Sequence, residues 1–117
     1  MATKRGNCYD RRCPSRDILA HLTGRWGSLI AGALRRNGTM RFSELRDRIE
    51  GISEKMLAQT LRDLEHDGLI SRVSHGTVPP HVDYSLTPLG EGAAKHVEAL
   101  VDWVEVNVRR VMDARAD

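Results

Sequence analysis

Around Gly68 the spacing of the apolar residues changes. Before it, Leu57, Leu61 and Leu64 recur at helical intervals; after it, Val82, Tyr84 and Leu86 alternate with His81, Asp83 and Ser85. A period near 3.6 asks for a helix with one buried face, and a period of 2 asks for a strand with one buried face. The chain must therefore run from helices directly into a small hairpin, "LISRVS" and "HVDYSL" around the turn segment "HGTVPP".

The helical part is punctuated by caps and glycines. Ser15 is the expected N-cap of "RDILAHLTG", with Ile18, Leu19 and Leu22 as an apolar stripe and Gly24 as the stop. "RWGSLIAGALRRNG" follows, with Leu29, Ile30, Ala33 and Leu34 on one face. "TMRF" is short and extended. Ser43 is the expected cap of "ELRDRIEG", with Phe42, Leu45 and Ile49 pointing inward. The next helix starts at Ser53 after only a few residues, which makes a helix–turn–helix. Thr87-Pro88 opens a last, long helix, with Pro88 in its first turn. Ala93, Val97, Leu100, Val104, Val108 and Val111 run along one side of it, widened by Val101 and Trp103. A helix–turn–helix followed by a two-stranded hairpin is the winged-helix arrangement. The expected fold is mainly α with a small β-hairpin and terminal helices able to form a dimer.

With 117 residues, 40% hydrophobic and 29% charged, the chain suits one domain with one modest core. Residues 1–12 read as a basic arm and 13–117 as a single domain, with its dimerisation helix at about 88–115. The net charge of +2 lies in the arm: the first 16 residues carry five Lys or Arg against Asp10. No apolar run is long enough for a membrane span, and "MATKRGNCYDRRCPSR" lacks the apolar region of a secretory signal. Two cysteines five positions apart suit a reducing compartment, so the expected location is cytoplasmic.

The helix from Ser53 has a second face. Lys55, Gln59 and Arg62 share one row opposite the leucines. Gln pairs with adenine N6 and N7, and Arg with guanine O6 and N7, in a major groove wide enough for a helix. Ser53 and Thr60 add short hydroxyls able to reach phosphate or base edges. Asp63, Glu65 and Asp67 cluster toward the C-terminal end, away from the part expected to enter a groove, and Glu54 is the acid near the start. Arg41, Ser43 and Met56 complete this set of candidate contacts. On the hairpin, Arg72, His75 and His81 are candidates for backbone or minor-groove contact, although mostly neutral histidines grip phosphate weakly.

Several motifs occur in order: Cys13-Pro14, Gly24-x-Trp26, "RFSEL", "GIS-KML-Q-L--LE-DGL" and "VPP-V-Y-LT-LG". Together they resemble the HxlR-type winged-helix transcriptional regulators, relatives of the MarR group, from Cys13 to about Trp103. The resemblance implies a homodimer that binds double-stranded DNA, with Ser53–His66 as the recognition helix and a wing at about Leu69–Leu86. Terminal helices would join the subunits. The family often has a basic residue where His81 stands and Arg where Thr60 stands.

Some members of that family sense oxidants or electrophiles through a cysteine at the Cys-Pro position. Here Cys13 precedes the first helix, with Arg11, Arg12 and Arg16 close in sequence; cations and a helix N-terminus favour thiolate. Cys13 is thus a candidate redox sensor with Cys8 as a possible partner, and an oxidant or small molecule is a candidate signal. The opposing reading is a small packed thiol.

Two other functions compete. A metal-responsive regulator could draw on Cys8, Cys13, His21, His66, His75, His81 and His96, but no pair has CxxC or HxxxH spacing, so no metal site or cofactor is expected. A winged helix can also be a protein-interaction adaptor. No Ser/His/Asp arrangement, phosphate loop or paired carboxylates point to an enzyme.

Overall fold

The computed structural model describes residues 5–115. Five helices and three short strands follow the order α1 (Ser15–Thr23), α2 (Arg25–Asn37), β1 (Met40–Arg41), α3 (Phe42–Arg48), α4 (Glu54–His66), β2 (Ile70–Ser74), β3 (Val82–Leu86) and α5 (Pro88–Arg115). The fold is mainly helical, with one small antiparallel sheet ordered β1-β3-β2. The sheet corrects the two-stranded expectation. Met40 pairs with Tyr84 and Arg41 with Asp83, so the "TMRF" segment becomes a third strand and β3 lies in the centre.

Ile30, Leu34, Leu45, Leu57, Leu61 and Leu64 are fully buried and form the heart of the core; Met40, Ile49, Ile52, Leu69, Ile70 and Tyr84 close it. The leucine row of α4 thus holds that helix against α2 and the sheet. Each such side chain contributes about 1.5–3 kcal/mol by leaving water.

Two of the expected caps differ. Pro14, not Ser15, occupies the position before α1 and already has helical dihedrals. Ser15 is the first helical residue, and its hydroxyl donates to Cys13 Sγ at 3.1 Å. Helix α3 starts at Phe42, one residue before the expected cap Ser43. Its first turn is closed by the Arg41 backbone N–H donating to Glu44 Oε1 at 2.9 Å. A glutamate carboxylate can reach back across three residues, so the serine is not needed.

Two glycines set close approaches. A Cβ on Gly27 would lie 1.8 Å from the His21 carbonyl oxygen, so its absence lets α2 turn tightly against the end of α1. A Cβ on Gly90 would meet the Leu69 carbonyl oxygen at 1.8 Å. Beside it, the Thr87 hydroxyl donates to the Gly68 carbonyl at 2.7 Å and accepts from Gly90 N–H at 3.0 Å. These contacts tie the start of α5 to the start of the wing.

The apolar faces of the terminal helices are only partly used. In α5, Gly90, Ala94 and Val97 are buried, whereas Leu100, Trp103, Val104, Val108, Val111 and Met112 are exposed. None of the residues of α1 is buried, and Ile18 and Leu19 are exposed. Leu29 of α2, expected on one face with Ile30, Ala33 and Leu34, is 38% exposed at a groove shared with Leu22, Leu100, Val101 and Val104.

Candidate nucleic-acid interface

Helices α3 and α4 are joined by residues 49–53. Ser53 is the N-cap of α4, its Oγ accepting from Met56 N–H at 3.0 Å. Leu57, Leu61 and Leu64 face the core, and Lys55, Gln59 and Arg62 are exposed on the other side. The expected row is therefore on the surface, beside Met56, which is 43% exposed.

Its charges are more entangled than the spacing alone suggests. Gln59 Nε2 donates to Asp63 Oδ1 at 3.0 Å, and Gln59 Oε1 accepts from Arg62 Nη2 at 3.1 Å. The amide is thus held between an acid and a cation, and Asp63 belongs to the row rather than lying away from it. A residue four positions on is a surface neighbour, which is how the acid reaches. Thr60 is half-buried and donates its hydroxyl to the Met56 carbonyl at 2.8 Å, leaving only lone pairs for another partner. Glu54 has a clear place: Arg46 of α3 lies 2.7 Å from it. That pair offsets the acid at the N-terminus of α4 and makes Arg46 a residue the sequence reading missed. The two are eight positions apart on different helices, so no local pattern announces them.

Arg41 and Ser43 are exposed at the start of α3. On the wing, Arg72 is exposed and pairs in register with Tyr84. His75 and His81 are not at the tip. They face each other at the base of the loop, with His75 N–H donating to the His81 carbonyl at 2.9 Å. Both imidazoles meet one carboxylate: His75 Nε2 lies 2.8 Å from Asp83 Oδ2 and His81 Nε2 2.7 Å from Oδ1. These hydrogen bonds, that from His81 first, hold the Asp83 carboxyl below its usual range. The two histidines expected as wing contacts are engaged with Asp83, a grouping that the sequence pattern does not announce.

Before α1, Cys13 Sγ accepts from the Ser15 hydroxyl and, at 3.4 Å, from the Asn7 N–H. The Ser15 bond is the larger cause, and together they lower the thiol's pKa, with burial and the Asp10 charge opposing. Two of the neighbouring arginines act elsewhere. Arg12 pairs with Asp10 at 3.3 Å, and Arg16 donates to the Cys8 and Tyr9 carbonyls. Cys8 and Cys13 are both free and half-buried.

A family model for the HxlR-like helix-turn-helix matches residues 21–112. The chain belongs to the HxlR-like helix-turn-helix family. It is similar to an uncharacterized HTH-type transcriptional regulator, YtfH of Escherichia coli K12, at 55% identity over 96% of this chain and 88% of that protein. The solved structure of ytfH from Salmonella typhimurium superimposes with a TM-score of 0.92 at 55% identity, covering 97% of this chain and all of that one. The oxidised form of the redox regulator HypR aligns with a TM-score of 0.71 at 36% identity, covering 81% of this chain and 97% of that one. This HxlR-like chain is a transcriptional regulator with a winged helix-turn-helix. No helix among its described residues is long and apolar enough to cross a membrane.

Proposed function

We propose that this regulator binds double-stranded DNA sequence-specifically as a cytoplasmic homodimer on an inverted repeat, and that oxidation at Cys13 alters its grip. The observation that carries the DNA reading is the two-sided α4. Three buried leucines fix the helix, and Lys55, Gln59 and Arg62 stand exposed on its other side. Gln59 would read a base edge, with its bonds to Asp63 and Arg62 exchanged for bonds to the base; Lys55 would hold phosphate. Arg41, Ser43 and Arg72 would add backbone contacts, and the dimer would place two copies of α4 about 34 Å apart.

The exposed apolar residues of α1 and α5 support the dimer. Leu100, Trp103, Val104, Val108 and Val111 lie along one long helix, with Ile18 and Leu19 on the first. An apolar face of that extent is costly in water and marks an interaction surface. A C2 pairing would bury it against its own copy. The redox reading rests on the hydrogen bonds that favour Cys13 thiolate and on the likeness to HypR, itself described as a redox regulator.

Binding to random duplex DNA across a range of salt tests the proposal. Affinity falling steeply with salt supports it. Absence of measurable binding at low salt would favour the protein-adaptor reading.

A further inference from the structure

The base of the wing brings together two imidazoles and a carboxylate that the DNA reading leaves without a task. Their placement follows from strand register. Val73 pairs with Asp83 and Ser74 with Val82, and the next pair is His75 with His81, closed by the His75 N–H to His81 carbonyl bond. Residues two apart on a strand share a face. Asp83, His75 and His81 therefore project from the same side of the hairpin, opposite the buried side chain of Tyr84. One ligand atom from each lies within 4.8 Å of the other two. The imidazole centroids are 4.7 Å apart with the rings tilted by 57°, so both Nε2 atoms converge on the carboxylate instead of stacking. All three side chains keep access to solvent, at 41%, 27% and 25% exposure for His75, His81 and Asp83.

We infer that His75, His81 and Asp83 form a binding site for one divalent transition-metal ion of borderline softness, Zn²⁺ being the best match. Two imidazole nitrogens and one carboxylate oxygen suit such ions, whereas Mg²⁺ and Ca²⁺ select oxygen-only sites. Ligand atoms around a tetrahedral Zn²⁺ at about 2.0–2.1 Å stand roughly 3.3 Å apart. The present contacts of 2.7 and 2.8 Å run to different oxygens of Asp83, and one ligand atom from each residue lies within 4.8 Å of the other two, so side-chain torsions must widen the histidine–carboxylate contacts and draw the ligand atoms around one point. An imidazole whose Nε2 donates to Asp83 binds the ion through that nitrogen once its proton has moved to Nδ1 or to solvent. Three protein ligands leave a fourth position open to water.

The ion would join both ends of the loop 76–80 and fix the wing's base. Where the DNA reading above also holds, it would add positive charge at the base of the wing.

The test is a metal titration of the reduced full chain without DNA, so its outcome is separate from that of the DNA proposal. Zn²⁺ binding is measured calorimetrically, and Co²⁺ serves as the visible probe. The expected result is one Zn²⁺ per chain, undiminished in the Cys8→Ser, Cys13→Ser double variant, with a Co²⁺ spectrum free of thiolate charge-transfer bands. His75→Ala and His81→Ala should each weaken binding tenfold or more, the loss that even an outer-shell partner produces. As a readout on the unaltered protein, imidazole ¹⁵N resonances of His75 and His81 should move on adding Zn²⁺ while those of His21, His66 and His96 stay. No stoichiometric binding, binding indifferent to both histidine substitutions, or binding lost only in the cysteine variant would overturn the site.

Discussion

His21 Nδ1 lies 2.6 Å from Asp67 Oδ2, joining α1 to the residue that ends α4. The Asp67 carboxyl is 9% exposed and the imidazole 30%. Its hydrogen bond with Asp67, the largest cause, raises the His21 pKa, with burial opposing. This bond ties the helix that follows Cys13 to the helix carrying Gln59.

The raised pKa sets a sign for stability. Protonated His21 is favoured in the folded state, so the contribution is complete below about 6.5, the unfolded value, and is lost as pH rises through the higher folded value. Water screens the partly exposed imidazole, and about 1 kcal/mol is expected for the pair at low pH. Urea midpoints for wild type and His21→Ala should differ more at pH 5.5 than at pH 9. A gap that widens toward high pH would show that the bond does not stabilise through the charged imidazole.

On a preferred DNA site, Gln59→Ala should cost about 1–3 kcal/mol and relax one base position. Lys55→Ala should weaken every duplex alike and reduce the salt slope by about one. Asp63→Asn removes an anion from the row and should tighten binding to random DNA. Fluorescence anisotropy at several salt concentrations separates these effects; equal losses on all sequences for Gln59→Ala would place that residue outside base readout.

Arg46 offsets Glu54 at the start of α4. Both are surface groups, so Arg46→Ala should leave the thermal midpoint nearly unchanged. DNA affinity should fall, because Glu54 would then face phosphate unbalanced, and Glu54→Gln in the same chain should restore part of it. Lack of any restoration would mean that Arg46 contacts DNA itself.

The proposed dimer face can be broken without touching the core. Trp103 and Val104 are 56% and 49% exposed within the single chain. A Val104→Glu substitution should yield a folded monomer in sedimentation experiments while the wild type sediments as a dimer. A variant that remained dimeric would shift the interface away from this part of α5.

Ser15 holds the Cys13 sulfur with its strongest hydrogen bond. Ser15→Ala should move the pH midpoint of iodoacetamide alkylation at Cys13 upward, and Cys13→Ser should abolish the effect of diamide on operator affinity. An unshifted midpoint would assign the thiol's reactivity to something other than Ser15.

Periodicity made the broad fold readable, because Leu57, Leu61 and Leu64 or Val82, Tyr84 and Leu86 reveal a buried face within a few residues. What it could not show were pairings between distant segments. Met40 joins β3 across more than forty residues, and Arg46 meets Glu54 across a turn whose angle no local pattern encodes. The histidine pair depends on hairpin register, since His75 and His81 become neighbours only when Val73 opposes Asp83. The bond from Gln59 to Asp63 was different: an i, i+4 pair is visible in sequence, and reading Asp63 with the C-terminal acids concealed it. Apolar stripes revealed which side of α1 and α5 avoids water, but not whether this chain or another covers it.

The central claim is that α4 reads DNA as one of two symmetric copies, and selection of bound sequences from random duplex DNA tests it most directly. The account predicts an inverted repeat with half-sites about one helical turn apart, roughly 34 Å, and loss of preference at one symmetric pair of positions when Gln59→Ala is selected in parallel. Enriched sequences without two-fold symmetry, or no enrichment at all, would contradict it.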